Sequence, residues 1–248
     1  MRNKKIRIGS WITIGHPAIA EILSSSSFDW LCIDMEHSII SLEQMTNILR
    51  SLENKNCFTY VRVGSNSELE IKKVLDAGAQ GIIIPQINSK EDAEKVIAHA
   101  HYPPIGKRGV GLSRAQGYGK SFDKYLLDIK RNLEIIAIIE NKKGIENLEE
   151  ILKVKGITGS MIGPYDLSAS YGKPGNFEEK EIKKALRKYE SIARKFNKPF
   201  GYHAVHDNSK KVLSMVEKGY SFIALGFDAK FLNDASNDNL KKLKDMLN

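Results

Sequence analysis

Short apolar runs alternate with amphipathic segments along almost the whole of this chain. Between most of the runs, apolar residues recur every three or four positions, which is the period of a helix. Continuous apolar runs are typical of strands that are covered on both faces, and strict strand and helix alternation produces parallel strands with right-handed crossovers. The eight runs are "IRIGSWITI", "WLCIDME", "TYVRVG", "GIIIPQ", "EIIAIIE", "GSMIGP", "PFGYHAV" and "SFIALGFD".

Eight strand and helix units predict an α/β protein with a (β/α)8 TIM barrel. A chain of 248 residues has the length of one such barrel, and its hydrophobic share of 42% is that of an ordinary packed core. We therefore predict a single barrel domain over residues 1–248. The competing doubly wound sheet requires a glycine fingerprint after the first strand, and "GSWITIGHPAIAE" lacks it.

The net charge of +8 is compatible with nucleic acid, a membrane surface or acidic small molecules. Much of the excess, however, is lysine in segments such as "EEKEIKKALRKYESIARKFNK", a pattern typical of a solvated helix face. There is no RNA-binding signature, and no run approaches the roughly 18 to 20 apolar residues of a membrane span. The opening "MRNKKIRIGS" lacks the apolar core of a signal peptide. We expect a cytoplasmic protein without nucleic-acid or membrane partners.

Titratable side chains close several of the predicted strands. In barrel enzymes the active site lies at the carboxyl ends of the strands, so these side chains are expected around one mouth. They are Asp34, Glu36 and His37 at the end of the second strand, Arg62 on the third, Glu140 at the end of the fifth and Asp166 after the sixth.

Carboxylates brought together from different strands repel one another unless a positive charge neutralises them. A divalent cation held by Glu140 and Asp166 is an economical solution; oxygen ligands favour Mg²⁺ or Mn²⁺, and Co²⁺ or Zn²⁺ also fit. Arg62 stays protonated and suits an anionic substrate such as a 2-oxo acid, although it could instead pair with a core carboxylate. Asp34 and Glu36, two apart on one strand face and beside an imidazole, form a candidate acid and base device. The alternative is a strand end that simply reaches the surface.

Two other kinds of site are disfavoured by the residue types present. The runs from "WLCIDME" through "GSMIGP", together with "SFIALGFD", contain no lysine, which argues against an imine-forming aldolase. Cys32 and Cys57 are the full cysteine set, so they cannot build a disulfide framework or a zinc cage by themselves. His203 and His206 in "HAVH" are a conceivable zinc pair, but their spacing crosses a strand end, and we prefer ordinary loop or core histidines.

One connection, "YPPIGKRGVGLSRAQGYGKSF", is too rich in glycine and proline to be helical. Structureless connections longer than about 12 to 15 residues are usually functional lids or interface arms. Its spacing matches neither a dinucleotide fingerprint nor a P-loop, so we do not interpret it as a nucleotide site.

The chain resembles the class II pyruvate aldolases of the 4-hydroxy-2-oxo-heptanedioate and 2-dehydro-3-deoxyglucarate type, within the aldolase and citrate-lyase superfamily. The resemblance runs from Gly9 to about Asp228, and "DMEH" and "GPYDLSAS" are its most specific parts. The remaining matching stretches are "VRV", "LDAGAQGIIIPQINSKEDAEKVI", "YPPIGKRGVG", "IENKKGIENLEEIL" and "GYSFIALGFD".

The resemblance implies a barrel of the phosphoenolpyruvate/pyruvate-domain type that uses a divalent metal. Glu140 and Asp166 match the family's metal ligands, and His37 matches the catalytic base. Asp34 matches the carboxylate that orients this base, and Arg62 matches the arginine that contacts pyruvate and stabilises its enolate.

Further implied contacts lie at the sixth strand. The substrate is bound there at Gly163, Tyr165 and Asp166, where its carboxylate meets the backbone amides of Tyr165 and Asp166. Glu36 is expected to lie next to the metal ligands without binding the metal itself, and to support their positions. Family members are trimers or hexamers in which the last helix packs across subunits, and we expect a homo-oligomer of this kind.

The function implied is that of a carbon–carbon lyase: a metal-dependent aldolase that reversibly cleaves a 4-hydroxy-2-oxo acid to pyruvate and an aldehyde through a metal-stabilised pyruvate enolate. Ile138 stands where some relatives have glutamine, Tyr165 replaces a small residue, and "GLSRAQGYG" is shorter than its usual counterpart. These departures leave the aldehyde open. Alternatives are an acyl-CoA lyase of the citryl or malyl type and a non-catalytic barrel that binds polyanions.

Overall fold

The computed structural model describes residues 5–205 and 209–247, and eight parallel strands in them close into a barrel. Each strand pairs with its successor in the sequence, and the last pairs with the first, which confirms the predicted (β/α)8 architecture. The strands are β1 Arg7–Ile12, β2 Trp30–Asp34, β3 Phe58–Arg62, β4 Gly81–Ile84, β5 Glu134–Ile139, β6 Gly159–Ile162, β7 Phe200–Ala204 and β8 Phe222–Phe227.

Helices follow every strand and surround the barrel. Several begin with a polar side chain that accepts a backbone N–H of the first turn, as Ser41 and Ser89 do. The helices are α1 Pro17–Ser25, α2 Leu42–Ser51, α3 Glu68–Asp76, α4 Lys90–Ala100, α5 Phe122–Asn132, α6 Lys142–Glu146, α7 Leu148–Lys153, α8 Pro164–Ser170, α9 Lys180–Lys195, α10 Ser209–Glu217 and α11 Asp228–Leu247.

Apolar side chains fill two layers, one inside the barrel and one between strands and helices. All residues of β2 and β4 are buried, because each strand is covered on both faces. Inside the barrel the rings of Trp30 and Phe222 stack with 4.3 Å between their centroids. In α9, Ile182 and Tyr189 are buried while the lysines face solvent, as predicted for that segment. The packed barrel provides a rigid base for the strand ends.

The glycine-rich connection after α4 lies at the end of the barrel opposite the strand carboxyl ends, and it includes a 3-10 segment, Arg114–Gly119. Arg108, only 1% exposed, contacts Asp76 at the end of α3. Arg114 donates a hydrogen bond of 2.8 Å to the carbonyl of Ala77. The connection forms no regular helix, as predicted, because even within the 3-10 segment Gln116, Gly117 and Tyr118 have non-helical backbone angles. It is not a lid over this chain's own strand ends. The alternative of an interface arm stays a prediction.

The C-terminal helix α11 is attached to the barrel mainly at its first residue. Asp228 is buried, and its carboxylate accepts hydrogen bonds of 2.8 Å from the amides of Thr13 and Ile14. Within the described ranges, no helix has both the length and the apolar character needed to cross a bilayer. Large apolar side chains of α11 remain exposed, namely Leu232, Leu240, Leu243, Met246 and Leu247.

Candidate active site

Arg62 and Asp34 face each other at the ends of two neighbouring strands, where they are register partners in the β2–β3 pair. Arg62 Nε donates to Asp34 Oδ1 at 2.8 Å, and Arg62 Nη2 donates to Oδ2 at 2.5 Å. The third nitrogen, Nη1, lies 3.2 Å from Glu36 Oε2. The indole ring of Trp11 lies 4.5 Å from the guanidinium carbon. These contacts hold the guanidinium in one orientation.

The charges of this pair are fixed by their mutual contact. Burial alone would raise the pKa of Asp34, but the hydrogen bonds and the charge of Arg62, together with backbone amides, lower it below its usual value. Burial acts to lower the pKa of Arg62, and Asp34 and Glu36 more than offset this effect, so that its pKa is raised. Both groups are therefore ionised at neutral pH.

His37 lies in the turn after β2, and its side chain is 62% exposed. The Asp34 carboxylate accepts the backbone N–H of Glu36 at 3.0 Å and of His37 at 3.2 Å, so it shapes the turn that presents the imidazole. The nearest carboxylate to the imidazole is Glu36, whose Oε2 is 3.7 Å from His37 Nε2. The implied orienting role of Asp34 therefore appears here as a contact with the backbone, because its two oxygens are engaged by Arg62.

Glu140 follows β5 directly and is 4% exposed. Its Oε1 accepts the backbone N–H of Gln86 at 2.7 Å, and Gln86 has a left-handed φ of 55°. Burial, reinforced by the charges of Glu36 and Asp166, raises the pKa of Glu140 to about 7. A buried carboxylate of this kind is neutralised either by a proton or by a cation.

Gly163 allows Glu140 to lie against the end of β6. A Cβ at this position would be 2.8 Å from the Cβ and 2.9 Å from the Oε2 of Glu140. Tyr165 and Asp166 both lie in the first turn of α8, and both side chains are exposed. The glycine thus brings the carboxylate-bearing ends of β5 and β6 into direct contact.

One cavity of about 390 Å³ at the carboxyl ends of the strands collects most of the predicted site residues. Glu36 is not among the lining residues of this cavity, but it forms an ion pair with Arg62, which is. The strand ends therefore meet as the barrel topology requires. The cavity is lined by Trp11, Thr13, Asp34, His37, Arg62, Ile138, Glu140, Met161, Ile162, Gly163, Pro164, Tyr165, Asp166, His203, Val205 and Phe227.

The donor set on this cavity fits a hard divalent cation. Burial, with the charges of Asp34 and Asp166, raises the pKa of Glu36 despite the nearby Arg62. Apart from its ion pair with Arg62 Nη1 at 3.2 Å, the buried Glu36 Oε2 has no hydrogen-bond partner among the residues described. In those same ranges, no three His, Cys, Asp or Glu side chains form a ready-made metal cluster. Proteins often hold Mg²⁺ through one or two carboxylates while substrate oxygens and water complete its shell. Glu140 and Asp166 are two carboxylates on this cavity.

Three cavity contacts were not anticipated from the sequence. Trp11 supports Arg62, His203 lines the cavity from β7, and Gln86 supplies a backbone amide to Glu140. Side chains alternate between the two faces of a strand, and this alternation is the sequence signal that could have identified Trp11 and His203 as inward-facing. His206, the other member of the conceivable zinc pair, lies outside the described residues.

Known proteins resemble the chain over almost its full length. It is 34% identical over 247 residues to the 2-keto-3-deoxy-L-rhamnonate aldolase of Escherichia coli (strain K12), covering 98% of this chain and 91% of that protein. A crystal structure of an HpcH/HpaI aldolase/citrate lyase family protein from Burkholderia cenocepacia J2315 has a TM-score of 0.92 at 27% identity, covering 97% and 95% of the two chains.

The HpcH/HpaI aldolase from Desulfitobacterium hafniense DCB-2 is 24% identical with a TM-score of 0.87, covers 97% and 93% of the two chains, and supports the fold. Residues 7–235 match the family model described as HpcH/HpaI aldolase/citrate lyase. These similarities confirm the resemblance and the prediction of an aldolase-type carbon–carbon lyase. The chain belongs to the HpcH/HpaI aldolase/citrate lyase family.

Proposed function

We propose that the protein reversibly cleaves a 4-hydroxy-2-oxo acid to pyruvate and an aldehyde. In the cleavage direction the 4-hydroxyl loses its proton, and the C3–C4 bond breaks. The electron pair of that bond passes toward the 2-oxo group, which gives the enolate of pyruvate, and C4 leaves as the aldehyde carbon. Protonation of C3 then completes pyruvate. The observation that carries the proposal is the convergence of Arg62, Glu140 and Asp166 on one cavity.

Arg62 is proposed to stabilise the negative charge that develops on the enolate oxygen. Its guanidinium is held by Asp34, by Glu36 and by the ring of Trp11 before any substrate binds. A donor that is already in place needs no reorganisation as charge develops, and such electrostatic stabilisation usually contributes more to catalysis than any other single effect. We therefore expect Arg62 and a bound cation together to contribute more to the rate than proton transfer by His37.

His37 is proposed to move the proton of the 4-hydroxyl, either directly or through a water molecule. Its exposed imidazole at the cavity rim can exchange protons with solvent between turnovers. Proton transfer by a positioned side chain typically supplies a factor of about 10² to 10⁴ in rate. Asp34 keeps the turn that carries His37 in place through two backbone hydrogen bonds.

Glu140 and Asp166 are proposed to hold the divalent cation, with Mg²⁺ or Mn²⁺ preferred and Co²⁺ or Zn²⁺ as alternatives. When bound, the cation would withdraw electron density from the 2-oxo acid and favour its enolate. Gly163, Tyr165 and Asp166 are proposed to receive the substrate carboxylate, because the first-turn amides of α8 have no acceptor within the helix. Glu36 supports this set through its ion pair with Arg62.

The proposal names a chemical class of substrate, the 4-hydroxy-2-oxo acids, and not a single compound. The relative from Escherichia coli is named for 2-keto-3-deoxy-L-rhamnonate, and a 3-deoxy-2-oxo acid with a 4-hydroxyl has the required skeleton. The acyl-CoA lyase alternative has less support, since the relative that is 34% identical over almost the whole chain is named as an aldolase. The polyanion-binding alternative does not account for a cavity that combines a fixed guanidinium with a buried, raised-pKa carboxylate.

Exchange of the pyruvate methyl protons in D₂O, followed by NMR, tests the proposal without knowledge of the aldehyde. We expect exchange with Mg²⁺ or Mn²⁺, loss of exchange in excess chelator, and recovery when the cation is restored. Arg62→Lys should slow exchange, and Arg131→Lys on the exposed face of α5 is the matched control. Exchange that continues undiminished in excess chelator would refute metal-dependent enolate formation.

A homo-oligomer, either trimer or hexamer, remains our proposal, as do the single domain over residues 1–248 and the cytoplasmic location. The exposed apolar side chains of α11, Leu240 and Leu243 among them, support packing of this helix across subunits. Light scattering of the intact chain and of Leu240→Asp/Leu243→Asp tests this. A variant of unchanged mass would argue against the exchanged helix.

A further inference from the structure

Gln86 follows β4 and contacts the site with its backbone alone. Its amide N–H donates a hydrogen bond of 2.7 Å to Glu140 Oε1, while its side chain is exposed and is not among the residues that line the cavity. The flanking residues Pro85 and Ile87 are buried, so the chain is held on both sides of this amide. The proposed mechanism gives the amide no function.

The backbone of Gln86 has an unusual conformation. Its φ is 55°, in the left-handed region that is unfavourable for residues with a Cβ and persists only where the surrounding structure maintains it. Within the described ranges, three other non-glycine residues share a positive φ, namely Ser27, Asn54 and Tyr118. Those three lie in connections that lead into a strand, at the end of the barrel opposite the cavity, whereas Gln86 lies in a connection that leaves one. The strained residue at the cavity end is thus the one whose amide contacts a proposed metal ligand.

The two carboxylate oxygens of Glu140 face different neighbours. β5 lies between β4 and β6 in the barrel, and Oε1 is bound by the amide that follows β4. Oε2 lies toward the other side, since a Cβ on Gly163 at the end of β6 would be only 2.9 Å from it. Asp166 follows Gly163 in the first turn of α8 and lines the same cavity. The hydrogen bond at Oε1 therefore leaves Oε2 on the side of Asp166.

The two oxygens consequently differ as ligands. Oε1 shares its electron density with an amide proton, whereas Oε2 accepts no hydrogen bond from the residues that the structure describes. Mg²⁺ is small, requires nearly octahedral geometry and is usually held by one or two carboxylates. Ca²⁺ takes about six to eight oxygens and often both oxygens of one carboxylate. A glutamate that offers a single free oxygen suits the smaller cation.

We propose that Gln86 is a positioning residue for the metal ligand Glu140 and a determinant of cation selectivity. Its amide occupies Oε1 and holds the carboxylate so that Oε2 coordinates the cation, which favours Mg²⁺ over Ca²⁺. Removing a hydrogen-bond partner of a ligating carboxylate typically changes metal affinity about 10- to 100-fold. The inference rests on the proposed metal-dependent function and adds to it a residue that acts through its backbone.

An amide-to-ester replacement at residue 86, introduced by nonsense suppression, tests the proposal because it exchanges the N–H for an ester oxygen and keeps the side chain. Competition of Mg²⁺ and of Ca²⁺ with Mn²⁺, followed by electron paramagnetic resonance of free Mn²⁺, gives dissociation constants without turnover. We expect the Mg²⁺ constant to rise about tenfold. The Ca²⁺ constant should stay within about threefold, since Oε1 is released for this cation. The ratio of the Ca²⁺ constant to the Mg²⁺ constant should therefore fall about tenfold.

The matched control is the same replacement at Asn88, whose amide donates a hydrogen bond of 3.1 Å to Asp92 Oδ2, a carboxylate that does not line the cavity. It removes a similar bond and should leave the ratio unchanged. Gln86→Gly keeps the amide and adopts a positive φ without strain, so it should bind both cations as wild type does. A ratio within about twofold of wild type in the residue-86 ester would overturn the proposal.

Should the ester protein fail to fold, hydrogen exchange of the Gln86 amide in ¹⁵N-labelled wild type decides instead. Slow exchange in both the free and the Mg²⁺-bound protein supports the retained bond to Glu140, and exchange as fast as that of exposed loops refutes it. Exchange of pyruvate methyl protons in wild type is measured in parallel. Absence of both cation binding and pyruvate exchange would overturn the proposed function together with this inference, whereas intact pyruvate exchange with an unchanged cation ratio in the ester would count against the role of Gln86 alone.

Discussion

Arg62 and Asp34 share two hydrogen bonds, of 2.8 and 2.5 Å, across the ends of β3 and β2. Since Glu36 lies 3.2 Å from the remaining nitrogen, one positive charge is shared by two carboxylates. The guanidinium is therefore rigid, but its surroundings are not electropositive by themselves. A further cation at this cavity would favour an anionic substrate, which is the role proposed for a metal held by Glu140 and Asp166.

Arg62→Lys should lower kcat/KM about 10²- to 10³-fold, the loss typical of removing one preorganised donor to a developing oxyanion. Lysine cannot reproduce the two-pronged contact with Asp34, so the ammonium will not be held in the same place. Steady-state kinetics with pyruvate and an aldehyde check this, with Arg131→Lys as the control. Activity within threefold of wild type would show that the guanidinium geometry is unimportant.

His37→Ala should lower the rate of cleavage about 10²- to 10⁴-fold while leaving the affinity for pyruvate within a fewfold of wild type. The imidazole is 62% exposed and its nearest charged neighbour is Glu36, so its loss should not disturb the pair of Arg62 and Asp34. Single-turnover cleavage and pyruvate titration separate the two effects, and His99→Gln on α4 is the control. Near-normal cleavage would place the base elsewhere.

Gly163→Ala should weaken metal binding at Glu140. The added methyl would lie 2.9 Å from Glu140 Oε2, and overpacking of this kind costs about 1 to 3 kcal/mol. The concentration of Mn²⁺ that gives half-maximal activity should rise about tenfold or more. Gly109→Ala, whose added Cβ meets no atom within 4 Å, is the matched control. Equal metal requirements in the two variants would contradict the steric argument.

Glu140 should make the metal-free protein less stable as the pH rises from 4.5 to about 7. Burial raises the pKa of Glu140 from 4.5 to about 7, so in this window the folded chain keeps a proton that the unfolded chain has lost. Burial lowers the pKa of His203 to about 4, which changes stability in the opposite direction over much of the same window, so the contribution of Glu140 is measured against Glu140→Gln. The free energy of unfolding of wild type relative to this variant should decrease by about 3 kcal/mol across the window. Denaturant unfolding of both proteins in chelator at pH 5 and pH 8 measures this decrease.

Glu140→Gln should remove this contribution, and Glu21→Gln on α1 should leave it intact. Metal affinity of the wild type should weaken below pH 7 for the same reason, because the ligand must first lose its proton. If the free energy of unfolding of Glu140→Gln and of wild type changed with pH in parallel, Glu140 would have the ordinary pKa of a glutamate.

The barrel and the charged part of its site could be predicted from the chain alone. Parallel strands bring their carboxyl ends to one edge, so Arg62, Glu140 and Asp166 could be assigned to one mouth from their positions after apolar runs. Adjacent strands likewise explain why Asp34 meets Arg62. These predictions needed strand order only.

The apolar and backbone parts of the site depend on register, which strand order does not determine. The pairing of β1 with β8 shifts between Gly9, opposite Ala224, and Trp11, opposite Phe227, so the side chains at the end of β8 that face the cavity cannot be counted from the start of that run. The contribution of Gln86 is a backbone amide in a left-handed conformation, which has no side-chain signature. His203 was considered for zinc because its type is conspicuous, whereas the structure places it in the cavity wall with Nε2 3.1 Å from the carbonyl oxygen of Gly226.

The position of Trp11 over Arg62 also gives the protein an internal optical reporter. The chain has two tryptophans, and Trp30 is fully buried against Phe222 inside the barrel. Emission from Trp30 should stay constant as ligands enter, whereas a guanidinium 4.5 Å from the indole of Trp11 makes that fluorophore sensitive to charge at the cavity. Occupancy of the site can thus be followed by intrinsic fluorescence, with no label and no turnover.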